Sequence, residues 1–132
     1  MARGHDINQA RKAEVAGLGR ELARRSKSSC ELCGAKGVSL KVVEVPPLPE
    51  EPDPDRALMV CADCEASMEG GKLDPARWRM LESLVWSELP PVQVAAVRIA
   101  YRLRDQGATW AEGLIDGLYL DDEIQAWIDG ER

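Results

Sequence analysis

Apolar and polar positions divide the chain into three stretches. Over residues 6–27, Ile7, Val15, Leu18 and Leu22 recur at helical spacing as a narrow apolar stripe, with Ala10, Ala13, Ala16 and Ala23 as fill. The pattern predicts one helix. Gly17 and Gly19 each weaken it by up to about 1 kcal/mol relative to Ala, so it needs a surface to pack on. Val38–Val45 and Ala57–Val60 are denser in β-branched residues and predict two short strands. Between them runs Pro46-Pro-Leu-Pro-Glu-Glu-Pro-Asp-Pro-Asp55, with five prolines and four acids in ten residues. Such a segment cannot be helix or central strand and reads as an extended, exposed loop.

Helical spacing returns after residue 67. Asp74-Pro75 is a capping residue followed by proline at a first helical position. That helix carries Trp78, Leu81, Leu84 and Val85 and should stop before Pro90-Pro91. The next starts at Pro91 and runs through Val92, Ala95, Ala96, Ile99 and Leu103 to Gly107. Thr109 with Glu112 has the spacing of a capping box ahead of Trp110, Leu114, Ile115 and Leu118. Asp121 or Asp122 caps a last short helix bearing Ile124, Trp127 and Ile128. The links are short, so neighbouring helices should pack on one another. All four Trp and both Tyr lie after residue 77, and Phe is absent, which places the conventional core in this half.

Four cysteines stand in two matched pairs, Cys30-Glu-Leu-Cys33 and Cys61-Ala-Asp-Cys64, with 27 residues between them. A two-residue gap lets both thiolates of a tight turn point at one ion, and two such turns make the four-sulfur shell that zinc favours. Gly34 follows the first pair, where a knuckle often needs positive φ. Two disulfides or four buried thiols are the alternatives. Met1–Gly4 leads into a charged helix with no apolar leader, which argues against an oxidising compartment and for a cytoplasmic protein. The expectation is one structural zinc per chain, held by Cys30, Cys33, Cys61 and Cys64. No apolar run approaches the ~20 residues that span a bilayer.

Charge narrows the partners. The chain has 17 basic and 23 acidic side chains, and four thiolates on one dication add about two negative charges. Residues 1–29 hold seven Lys/Arg and three Asp/Glu, whereas residues 74–132 hold six and eleven. Arg20, Arg24 and Lys27 form a basic stripe near the end of the first helix. They suit a solvated face that favours the helix dipole, or alternatively a phosphate or acid contact. The acidic remainder disfavours nucleic acid as main partner and leaves protein as the expected one. Docking of the first helix by its apolar stripe would bring its arginines near carboxylates such as Glu31 or Glu65.

No catalytic constellation is evident. His5 is the only histidine, and Ser26, Ser28 and Ser29 have no histidine partner within the fold. Asp121-Asp-Glu123 reads as helix capping rather than a cation site. The stretch Trp86-Ser-Glu-Leu-Pro-Pro-Val-Gln93 reads as a helix–helix corner with Trp86 in the core. A groove for a peptide or small ligand, lined by Trp86, Gln93, Trp110 and Tyr119, is the alternative.

Basic residues before a CxxC, a strand and a second CxxC resemble the zinc-bearing frame of HNH-type nucleases. That resemblance would put metal-binding histidines at Val43 and Glu44 and another at Glu65, so it implies the frame without the nuclease chemistry. A longer resemblance covers residues 20–130. Cys30-Glu-Leu-Cys-Gly34, Glu44-Val-Pro-Pro47, Val60-Cys-Ala-Asp-Cys64, Trp78-Arg-Met-Leu81, Val85-Trp-Ser-Glu-Leu-Pro-Pro-Val-Gln-Val94 and Leu114-Ile-Asp-Gly-Leu-Tyr-Leu-Asp-Asp-Glu123 occur in order. Together they resemble the N-terminal zinc-ribbon and helical part of the PhnA-type proteins, named from alkylphosphonate-utilisation operons. The resemblance implies a zinc ribbon and no phosphonate-hydrolysing site.

The expected fold is therefore α+β: a small zinc ribbon, with its two CxxC knuckles on a short β-hairpin, between an N-terminal helix and a C-terminal helical bundle. The divisions fall at 1–29, 30–66 and 67–132. The expected function is a non-catalytic interaction or regulatory module. The alternative is a weak nucleic-acid binder acting through Arg20–Lys27.

Overall fold

The computed structural model describes residues 2–130, with side chains from residue 9 onward. The side chains of His5 and Ile7 lie outside the described residues. Two helices replace the single one expected at the N-terminus: α1 spans Ala2–Ala16 and α2 spans Gly19–Ser26. The break falls at Gly17-Leu18, where Leu18 N–H turns back to the Val15 carbonyl at 3.0 Å. This is the weak point that two glycines created. The apolar stripe docks as its pattern required. Leu22 is fully buried with Val42, Ala57 and Met59, and Val15, Leu18 and Ala23 pack around them.

Strands β1 (Leu40–Glu44) and β2 (Ala57–Cys61) pair antiparallel, with Leu40 opposite Cys61 and Glu44 opposite Ala57. All five β2 residues are buried. Successive strand side chains point to opposite faces, and here both faces are covered. Ala57 and Met59 join the α2 side, while Leu58 and Val60 join a larger core with the C-terminal helices. That is why Ala57–Cys61 reads as a continuous apolar run rather than an alternating one. The proline-rich loop is less free than expected. Pro54–Arg56 form a 3-10 turn with Asp53 accepting from Asp55 N–H, and Arg11 donates to the Pro49 and Glu50 carbonyls at 2.9 and 3.1 Å.

Helix α3 (Ala62–Glu69) grows directly out of β2, across the expected division at 66/67. Asp74 does accept a hydrogen bond, from Ala76 N–H at 3.0 Å. The predicted helix behind it is a 3-10 segment, Arg77–Met80, leading into the short α4, Leu81–Leu84. Helices α5 (Pro90–Asp105), α6 (Thr109–Asp116) and α7 (Asp122–Asp129) follow, and α4, α6 and α7 each pack on α5. Asp121 caps α7 as expected, accepting from Ile124 N–H at 2.8 Å. The Thr109–Glu112 box does not form. Thr109 is already helical, and Ala108 occupies the cap position without a side-chain bond. Trp127 ties α7 to the proline loop by donating to the Pro46 carbonyl at 3.0 Å, beneath the Arg56 guanidinium.

The corner before α5 also departs from expectation. Trp86 is 50% exposed rather than in the core. Its place in sequence suggested burial, but the turn is closed by polar groups instead. Ser87 Oγ accepts from Leu89 N–H, and Gln93 Nε2 donates to the Val85 carbonyl at 2.9 Å.

Two consecutive non-glycine residues, Lys27 and Ser28, close α2 with positive φ, 58° each. Lys27 has φ 58° and ψ 42°, and Ser28 N–H reaches back to the Ala23 carbonyl at 2.8 Å. A helix closed this way favours glycine at the left-handed position. Lys27→Gly should therefore raise stability by about 0.5–1 kcal/mol, read as a higher urea midpoint with an unchanged slope.

Candidate metal centre

The first knuckle is a turn folded around its own sulfur. Cys30 N–H donates to the Ala35 carbonyl at 3.0 Å, Gly34 N–H to the Cys30 carbonyl at 2.9 Å, and Cys33 N–H points at Cys30 Sγ at 3.5 Å. Gly34 adopts φ +78°, the conformation its place in the motif anticipated. The second knuckle has a different build. Cys61 is the last residue of β2 and the N-cap of α3, and Cys64 lies in that helix's first turn. A helix N-terminus carries partial positive charge, so this placement favours the thiolate form.

These turns bring the four Sγ atoms within 4.8 Å of one another, and Cys33 Sγ lies 3.7 Å from Cys61 Sγ. Zinc–sulfur bonds of ~2.3 Å in a tetrahedron place sulfurs about 3.8 Å apart, so the donor set fits a four-sulfur shell. Cys30, Cys61 and Cys64 are buried and Cys33 is partly so. A hydrogen bond shared with Cys64 holds the Cys30 thiol pKa down to about 4 and pushes that of Cys64 up. Burial raises that of Cys33. Thiols held this close resist ionising together, because one thiolate opposes the next. An ion bound to all four supplies the charge that lets the others ionise.

Two arginines tie this centre to its surroundings. Arg77 Nη2 lies 3.3 Å from Cys64 Sγ, with its guanidinium 5.2 Å from the centre of the Trp78 ring. Burial works against its charge, but the sulfurs of Cys64, Cys33 and Cys61 outweigh this and raise its pKa. Arg25 holds Glu31, which sits inside the first knuckle, by a two-pronged pair at 2.9 and 2.7 Å. Glu31 also accepts from Met59 N–H at 2.8 Å, and its side chain is 3% exposed. Arg25 further donates to the carbonyls of Pro54 and Ala57. One carboxylate thus joins α2, the knuckle and β2.

The positions compared with nuclease histidines have structural work. Glu44 forms a two-pronged pair with Arg11 at 3.0 and 2.7 Å, and Glu65 pairs with Lys41 at 3.0 Å. Arg20, Arg24 and Lys27 are all exposed, so the basic stripe faces solvent. Trp86, Gln93, Trp110 and Tyr119 line neither of the two cavities described, which lie against α5 and between α1 and β1. Gln93 is committed to Val85, Trp110 lies 4.8 Å from the Arg79 guanidinium, and Tyr119 is 91% exposed. Sequence reasoning named Glu31 as a partner but missed Arg25, and it missed Arg77 entirely. Neither arginine belongs to a periodic pattern or motif that would have marked it.

No family model, curated protein or solved structure matches this chain.

The Glu31 arrangement sets a measurable expectation. Removing one partner of a buried pair leaves the other's charge unmet, at about 3–5 kcal/mol, and the partial exposure of Arg25 reduces this. Glu31→Ala should destabilise by about 2–4 kcal/mol in chemical denaturation. Arg24→Glu, at an exposed position one residue from Arg25, should change stability by under about 0.5 kcal/mol.

Proposed function

We propose that the chain is a non-catalytic zinc-ribbon module whose single zinc, held by Cys30, Cys33, Cys61 and Cys64, is structural. The observation that carries this reading is the convergence of four sulfurs, three of them buried. A four-sulfur zinc shell has no position for water or substrate, so the ion's work is folding. The two-stranded sheet beside it is too small to stand alone, and metal binding can contribute ~10 kcal/mol or more of apparent free energy. The ordered strings that resemble those of PhnA-type proteins suit the same assignment, and in a reducing compartment the four thiols would stay free to bind the ion.

The module's partner is protein. Half-exposed Trp86 and nearly fully exposed Tyr119 offer aromatic surface of the kind that anchors protein contacts. The second reading, nucleic-acid binding, has support in the exposure of Arg20, Arg24 and Lys27, but the acidic remainder of the chain repels phosphate.

Purified protein should carry close to one zinc per chain by elemental analysis. Cys61→Ser should lose the metal and the protection of β1 and β2 in hydrogen exchange. Protein without metal and with both strands protected would contradict the proposal. Binding to a short duplex DNA that falls steeply with salt and is lost in Arg24→Glu would select the second reading. Plasmid DNA incubated with magnesium or manganese should remain uncut.

A further inference from the structure

Four thiolates around one dication carry a net charge of about −2, and three of these four cysteines are buried. A buried charge of that size needs compensation from its surroundings. Part comes from the N-terminus of α3, whose N-cap is Cys61. The acids in that first turn, Asp63 and Glu65, work against it, and Lys41 pairs with Glu65 on the outside. Among the described residues, the side chain that brings a positive charge to a cluster sulfur is Arg77, with Nη2 at 3.3 Å from Cys64 Sγ.

Arg77 is set in place by its neighbours. It begins the 3-10 segment Arg77–Met80, whose next residue, Trp78, is 1% exposed and donates its N–H to the Asp74 carbonyl at 3.2 Å. Buried Trp78 fixes the backbone of that turn, and the guanidinium lies over the indole. Among the described residues no carboxylate pairs with Arg77, unlike Arg11, Arg25 and Arg79, each of which holds a glutamate. Its charge is directed at sulfur.

We propose that Arg77 is part of the metal site: a guanidinium outside the four ligands that offsets the anionic zinc–thiolate cluster and sets how tightly the ion is retained. The inference rests on the zinc reading above and adds a residue to it. A hydrogen bond to a metal-bound sulfur lowers the energy of the sulfur lone pairs, and the positive charge favours the thiolate form that zinc requires. Groups bonded to metal ligands change metal affinity by about 10–100-fold when removed. The same contact joins the metal to the C-terminal helices, because the residue beside Arg77 is in their core.

The test compares wild type, Arg77→Lys, Arg77→Gln and Arg77→Met by titrating a colorimetric zinc chelator into zinc-loaded protein. The cobalt-substituted forms supply a second readout. Arg77→Met and Arg77→Gln should each lose zinc at least tenfold more readily, and Arg77→Lys should stay within a few-fold of wild type. In Arg77→Met the sulfur-to-cobalt charge-transfer band should move to lower energy, a signature that a purely structural effect on Trp78 would not produce. Should Arg77→Met fail to fold, Arg77→Gln carries the affinity measurement. Zinc retention in Arg77→Gln equal to wild type overturns the inference. Wild-type protein that takes up no zinc refutes the underlying reading instead, before any variant is compared.

Discussion

Two short turns, 27 residues apart in sequence, must place four sulfurs at one point, and much of the fold follows from that constraint. A two-stranded sheet is marginal on its own in water. Here its second strand ends in Cys61, its first begins opposite that residue at Leu40, and the first knuckle sits beside both. Fixing the sulfurs fixes the register of the hairpin. The hairpin then becomes the surface on which the remaining helices can bury apolar area.

That surface is used on both sides. β2 is sandwiched, with Leu58 and Val60 facing the larger core and Ala57 and Met59 facing Leu22 of α2. The sulfur cluster belongs to the same continuous core as Trp78, Leu81, Leu103 and Ile128. The C-terminal helices and the cysteine turns are therefore not independent in packing. Arginine–carboxylate pairs reinforce the joints: Arg11 with Glu44 at the proline loop, and Arg25 with Glu31 at the knuckle. Partial burial gives these pairs more weight than exposed ones, whose worth is commonly under about 1 kcal/mol.

Features carried by local chemistry were legible in the sequence. The CxxC spacing located the sulfurs, Gly34 its positive-φ turn, Asp121 its cap, and the dense β-branched run the hairpin. Docking of the first helix was also legible, because a narrow apolar stripe beside weak glycines has no other means of support. Misreadings arose where the sequence offered two local options of similar weight. The N-terminal helix breaks at Gly17-Leu18, Thr109 joins α6 instead of capping it, and Trp86 lies half exposed at a corner that polar groups close. The arginines that matter most to the centre, Arg25 and Arg77, are not those of the regular stripe. Their roles come from long-range placement, which no spacing in the sequence encodes.

The four cysteines are proposed to hold a single structural zinc with no open position. X-ray absorption at the zinc edge of the purified protein measures that shell directly. Four sulfur scatterers at ~2.3 Å, with no oxygen or nitrogen in the first shell, is the expected result. A shell containing nitrogen or oxygen, or fewer than four sulfurs, would contradict the closed site on which the non-catalytic reading rests.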